Sequence, residues 1–212
     1  MRRAYLPEEK ASRRQAILVG ALQLFRETPY PDLRMTDLAQ RLGLGKGTLY
    51  LYFPTKESLF LAVLQAEMGA WFEQAARALE VTPVGSDPAA VANGLVRELM
   101  RRPLLPGLQA LLHGVLERNI PEAEAHGFAR FLQAGVVKVG ERLERVLPRL
   151  ARGAGPLYLI RFHGLVIGTQ LMSARPPGVR AALQDPDMAL FDFEFEAVLR
   201  GTAVDLLLGM LG

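Results

Sequence analysis

The 212-residue sequence contains no cysteine, which excludes disulfides and thiolate metal sites. It has three histidines, His113, His126 and His163, and none is paired with a second histidine at a metal-binding helical spacing. Tryptophan occurs once, as Trp71, and lysine four times against 21 arginines. The arginine excess fits a G+C-rich genome and carries no functional reading. Long apolar runs are also missing. The longest charge-free stretches, Pro103–Leu116 and Phe162–Ala174, fall short of the roughly 18–20 residues that a membrane span needs. The basic start at Met1-Arg2-Arg3 is not followed by an apolar segment, so no secretory signal and a cytoplasmic protein are expected. There is no Gly-x-Ser-x-Gly or phosphate-loop pattern, and Glu122 and Glu124 beside His126 read as a solvated face. Neither catalysis nor a metal or cofactor is therefore expected.

Half of the residues are hydrophobic and 22% are charged, a balance that permits a buried core and argues against disorder. Residues 1–60 hold ten Lys/Arg and six Asp/Glu, a net of +4, whereas the remainder holds 15 and 16, a net of −1. A basic leading module on a near-neutral apolar body suits a polyanion-binding head. A few charges either way would erase the asymmetry, so charge alone leaves the question open.

The chain reads as helices throughout. Pro7-Glu8-Glu9 suits a helix start, and Ile17, Leu18, Ala21, Leu22, Leu24 and Phe25 make one apolar stripe. Pro29 and Pro31 stop that helix. Short helices follow over Thr36–Leu42 and Lys46–Tyr52, and Thr55 is a candidate N-cap for a longer helix to about residue 80. Five more are expected at 88–101, 104–118, 121–149, 154–174 and 187–211. Phe191-Asp192-Phe193-Glu194-Phe195-Glu196 alternates as a strand would, but it is short, lacks a partner and runs on into a helical face. It is therefore placed in the last helix.

The segment from Thr36 to Phe53 reads physically as helix, turn, helix. Leu38 and Leu42 face inward, the small Ala39 permits close approach, and Gly43 suits a turn at positive φ. Leu44 fills the corner, and Leu49 with Phe53 buries the inner side of the second helix. Lys46, Gly47, Thr48, Tyr50 and Tyr52 are left for the outer surface, where a cation, hydroxyls and bare backbone suit groove and phosphate contact. Thr36, at a helix N-terminus, suits a phosphate. Pattern alone does not separate this from an ordinary helical hairpin.

The stretch Met35–Leu59, with its core Gly-Lys-Gly-Thr-Leu-Tyr-Leu-Tyr-Phe-Pro-Thr-Lys-Glu-Ser-Leu, closely resembles the signature of TetR (tetracycline-repressor-like) transcriptional regulators. With the preceding helix, the resemblance covers about residues 10–65. It implies an all-α chain with a helix-turn-helix head over residues 1–54 and a helical ligand-binding and dimerisation domain over 55–212. Helix 55–80 would connect the two. It implies that Thr36, Tyr52 and Lys56 hold phosphates while Lys46, Thr48 and Tyr50 lie nearest the bases. Gly45 departs from the Ser or Thr common there, which removes a hydroxyl. Arg2, Arg3, Arg13 and Arg14 are further candidates for phosphates.

For the body, the resemblance implies a homodimer through the last two helices and a small-molecule effector. The final helix carries more apolar surface than one inward stripe requires, and Gly164 and Gly168 would allow close helix approach. Candidate pocket residues are Trp71, Phe72, Met100, His113 and Phe128, followed by Phe131, Tyr158, Phe162 and Met172; each reads equally as core. Arg161 and His163 could meet an anionic head group. The apolar body suggests an acyl chain, aromatic acid or hydrophobic drug as effector. The implied partners are a pseudo-palindromic double-stranded DNA operator and a second copy of the chain, with no membrane. A helical scaffold that binds protein is the rival reading, and it leaves the basic head unexplained.

Overall fold

Residues 7–212 are described by a computed structural model, and every regular element among them is helical. The helices are α1 (Pro7–Glu27), α2 (Met35–Arg41), α3 (Lys46–Tyr52), α4 (Lys56–Glu80), α5 (Pro88–Met100), α6 (Leu105–Leu111), α7 (Glu122–Val146), α8 (Ala154–Ser173), α9 (Pro177–Ala182) and α10 (Phe195–Leu211). Shorter 3₁₀ turns cover Tyr30–Asp32, Leu116–Asn119 and Pro186–Phe191. The all-α expectation holds. Arg2 and Arg3 lie outside the described residues.

Two compact units make up the chain: one runs to Ala66 and takes in Leu111–Gly127, the other comprises Glu67–Ala110 and Phe128–Gly212. In the first, Ile17 and Ala21 of α1, Leu38 of α2, Leu49 of α3 and Leu59 of α4 are buried together. Gly20 lets α1 approach α2 closely, since a Cβ there would stand 2.7 Å from Leu42 Cδ2. Phe60 joins the aromatic rings of Phe25 and Tyr30 at 5.8 and 5.1 Å, geometry that favours edge and tilted ring contacts.

The helix expected over 104–118 is shorter. It closes at Leu111, passes through a backbone at Val115 (φ −132°, ψ −58°) that no helix adopts, and resumes as the 3₁₀ turn. The break falls between Leu112 and Leu116, which are both buried. It also delivers the Asn119 carbonyl to the Thr55 hydroxyl at 3.3 Å. Thr55 is the N-cap that the sequence suggests, its Oγ1 accepting the Ser58 amide at 2.9 Å.

In the second unit, α10 packs against α5 and α8. Gly140 and Gly155 allow α7 and α8 to touch backbone to backbone: a Cβ on Gly155 would fall 2.1 Å from the Gly140 carbonyl oxygen. Glu144 accepts the amides of Gly153 and Gly155 at 2.8 and 2.9 Å and so fixes the start of α8. Tyr158 is fully buried and donates to the Ala203 carbonyl at 3.2 Å. Burial pushes its phenol well above the usual tyrosine range.

The final helix expected over 187–211 is also corrected: α10 begins only at Phe195. Asp185 accepts the Asp187 amide at 3.0 Å in an Asx turn, and the chain is extended at Glu194. Phe193 lies under the Arg175 guanidinium at 5.0 Å. The alternating run therefore forms no strand: Phe191 closes a 3₁₀ turn, and only Phe195 and Glu196 enter the helix; α9, which the sequence pattern does not announce, precedes it.

Candidate nucleic-acid interface

The corner between α2 and α3 is built from backbone. The Leu44 amide donates to the Ala39 carbonyl at 2.8 Å and the Gly43 amide to Gln40 at 3.1 Å, the two bonds of a Schellman termination. That closure needs a left-handed residue, and Gly43 supplies it at φ +62°. On the first helix of the pair, Arg41 grips Glu27 of α1 through two hydrogen bonds of 2.5 and 2.7 Å. The guanidinium lowers the Glu27 carboxyl below its ordinary range.

Helix α3 is anchored by Leu49, fully buried, and by Phe53 just beyond its end. Arg14 stacks its guanidinium over the Phe53 ring at 5.1 Å, a cation–π contact that ties α1 to the end of α3. Lys46, Gly47, Tyr50 and Leu51 are exposed, while Thr48 and Tyr52 are half-buried. Lys46 Nζ lies 5.9 Å from the centre of the Tyr50 ring one turn later. A Cβ on Gly47 would meet nothing within 4 Å, so the backbone itself is open to an approaching surface. Gly45 caps α3 without a side-chain bond.

Leu51 was missed by the sequence reading, which followed the polar residues. It is 78% exposed, an uncommon place for a leucine beside buried Leu49, and an apolar tip there suits the methyl group of thymine. Its spacing of four from Gly47 was the available signal.

Thr36 is exposed on the first turn of α2, its hydroxyl donating to Asp37 at 3.3 Å. Lys56 is placed differently from the others. Its ammonium donates to the carbonyls of Tyr30 and Leu33 at 3.0 and 3.2 Å and sits 4.2 Å over the Tyr30 ring. It fastens the loop after α1, with one N–H left for any further acceptor. Tyr30 donates to Glu57 at 3.2 Å, and burial followed by that carboxylate raises its phenol pKa.

The candidate pocket residues divide. Trp71, Phe72, Phe128, Tyr158 and Phe162 are buried in the second unit; Met100 and Phe131 are half-buried there. Phe162 stacks on Trp71 and on Tyr158, each at 6.0 Å. Phe72 meets Phe131 at 5.9 Å. Three candidates do not join them. His113 belongs to the first unit, where its exposed ring pairs with Glu117 at 3.0 Å. Arg161 and Met172 are exposed on α8, because successive helical positions cannot all turn inward. Gln109, unremarked in the sequence, is buried and shares a 3.0 Å hydrogen bond with His163. An amide within the charge-free stretch Pro103–Leu116 was the signal for it.

Among the described residues no helix is long and apolar enough to cross a membrane. Residues 17–63 match the family described as "Bacterial regulatory proteins, tetR family", and residues 65–212 match "Tetracyclin repressor-like, C-terminal domain". Curated relatives match over short segments. The regulator RutR of Escherichia coli K12 is 34% identical over 61 residues, 29% of each chain. EthR of Mycobacterium tuberculosis (strain H37Rv) is 40% identical over 52 residues, 24% of each. The chain thus spans under a third of the length of these relatives in the matched segment. Among solved structures, PfmR of Thermus thermophilus superposes with a TM-score of 0.57 at 20% identity, covering 90% of this chain and 96% of that one. FadR of Bacillus subtilis, in complex with stearoyl-CoA, gives 0.57 at 16% identity over 92% and 97%. Both share the fold. With both of its parts matched in order over nearly the whole chain, the protein belongs to the TetR family of transcriptional regulators and is not an enzyme.

Proposed function

We propose that the protein is a ligand-responsive repressor that binds a pseudo-palindromic operator as a homodimer and is released by a small hydrophobic effector. The observation that carries the reading is the outward face of α3: Lys46, Gly47, Tyr50 and Leu51 stand exposed above buried Leu49. A charge, an aromatic hydroxyl, open backbone and an apolar tip on one short helix suit the major groove. Thr48 would lie beside the bases with Lys46 and Tyr50, while Thr36, Tyr52 and the remaining N–H of Lys56 would hold the flanking phosphates. The head is taken as residues 1–54, the effector and dimer part as 55–212, and the cytoplasm as the compartment.

Dimerisation through α8 and α10 is supported by what those helices leave uncovered. Leu157, Ile160 and Leu171 of α8 and Leu208 of α10 are exposed, from 41% to 61%. Gly164, Gly168, Gly201 and Gly209 have open space beside them, so a second copy could approach closely. An isologous pairing of these stripes would present two α3 helices to two half-sites. The effector site is taken to lie among Trp71, Met100, Phe128, Phe131, Tyr158 and Phe162, with an acyl chain, aromatic acid or hydrophobic drug as occupant. An effector that prefers the non-binding form would shift the population through α4, the helix shared by head and body.

Selection of genomic fragments by the purified protein at two salt concentrations tests this. The expected result is a short inverted repeat still recovered at the higher salt. Sequence-blind binding that salt abolishes would contradict it, because such binding is phosphate contact alone.

A further inference from the structure

Four buried polar atoms have no hydrogen-bond partner among the described residues: Trp71 Nε1, Gln74 Oε1, Arg102 Nε and Gln109 Oε1. All four belong to the second unit. Leaving such atoms unpaired in an interior is costly, and native structures keep few of them without a reason. Trp71 and Gln109 are only 5% and 4% exposed.

Helical spacing and local contacts together relate the four. Glu67, Trp71 and Gln74 are spaced four and three residues apart on α4 and so share one face. Arg102 is held to Glu67 by an ion pair of 2.9 Å. The Trp71 ring stacks on Phe162, the two planes 17° apart, and the next residue, His163, is bonded to Gln109.

We infer that this cluster is the head-group site of the effector, and that it takes an uncharged primary-amide-like head on an apolar body. The inference rests on the proposed effector role of the second unit. In number, the orphaned atoms are two N–H donors, from Trp71 and Arg102, and two carbonyl acceptors, from Gln74 and Gln109. A primary amide supplies the complement: two N–H groups and one oxygen with two lone pairs. A carboxylate supplies acceptors only and leaves both glutamine oxygens unmatched. It also brings a net charge to a place where Arg102 is already neutralised by Glu67. The apolar remainder is served by the column of Trp71, Phe162 and Tyr158 rings.

Trp71 is the single tryptophan of the sequence, so its fluorescence reports on the site directly. The test titrates the full-length protein with octanamide and with octanoate at about pH 8, where an imidazole is ordinarily neutral. Octanamide is expected to give a saturable emission change, with octanoate binding at least about tenfold more weakly, the ratio that one or two lost hydrogen bonds produce. Gln109→Leu is expected to narrow that ratio without abolishing it, because Gln74 and the charge of octanoate still favour the amide. The wild-type comparison stands by itself if this variant does not fold. Equal affinities, a preference for octanoate, or no saturable binding of octanamide would overturn the inference. Operator binding by the same preparation separates the two readings. DNA binding without amide preference sinks only the head-group assignment, and amide binding without specific DNA binding sinks the regulator reading.

Discussion

Gly43 holds φ +62° at the corner of the helix-turn-helix, where a side chain would have space but would put its own backbone under strain. Gly43→Ala should therefore lower stability by roughly 1 kcal/mol, with the penalty coming from conformation and not from contact. A denaturant midpoint that moves down at unchanged slope would show it; an unchanged midpoint would contradict the assignment. Leu51 makes the opposite case. It is 78% exposed, so Leu51→Ala should leave stability within about 0.5 kcal/mol yet weaken operator binding in a gel-shift titration. Tyr30 and Tyr158 give an alkaline prediction. Both phenols are raised above the ordinary value, mainly by burial. The stability they contribute as neutral groups is complete below a tyrosine's unfolded pKa of about 10 and is lost as pH rises toward the folded values. Phenolate absorbance should then develop for these two together with loss of helix. Their ionisation in a fully helical protein would contradict the burial argument.

At the scale of elements, two short devices hold long helices in place. Thr55 caps α4 and also reaches Asn119, so Thr55→Ala should cost about 1 kcal/mol for the cap and more for the loosened 111–120 segment, readable as faster amide exchange there. Glu144 does the same for the start of α8 through the amides of Gly153 and Gly155. Much of the rest was legible beforehand for a physical reason: helix-turn-helix chemistry is local. The boundaries of α3, the glycine at positive φ, inward Leu49 and the Thr55 cap follow from residues within a few positions of one another. What escaped depends on distant partners. The early end of α6 goes with the bond between Thr55 and Asn119, 64 residues apart. Lys56 carries a phosphate-binding residue type, but the loop carbonyls of Tyr30 and Leu33 engage its ammonium. The run from Phe191 to Glu194 has a strand's alternation and no strand to pair with. Pocket composition was half legible, because aromatic residues announce a core but not which face of α8 turns inward, as Arg161 shows.

For the whole molecule, the exposed stripes of α8 and α10 predict that Ile160→Glu, at a position 59% exposed in the single chain, leaves the fold intact and yields monomers in light scattering. Operator affinity should fall with it, since each half-site would then be bound alone. A dimer that survives would move the interface elsewhere. The central claim is that α3 reads the operator, and it is tested most directly by titrating that DNA with wild-type protein and with Tyr50→Ala, both verified as dimers. Binding by the variant should be about tenfold or more weaker, the size of one lost base-edge contact, with the same midpoint of unfolding. Equal operator affinity would show that the exposed face of α3 is not what meets the bases.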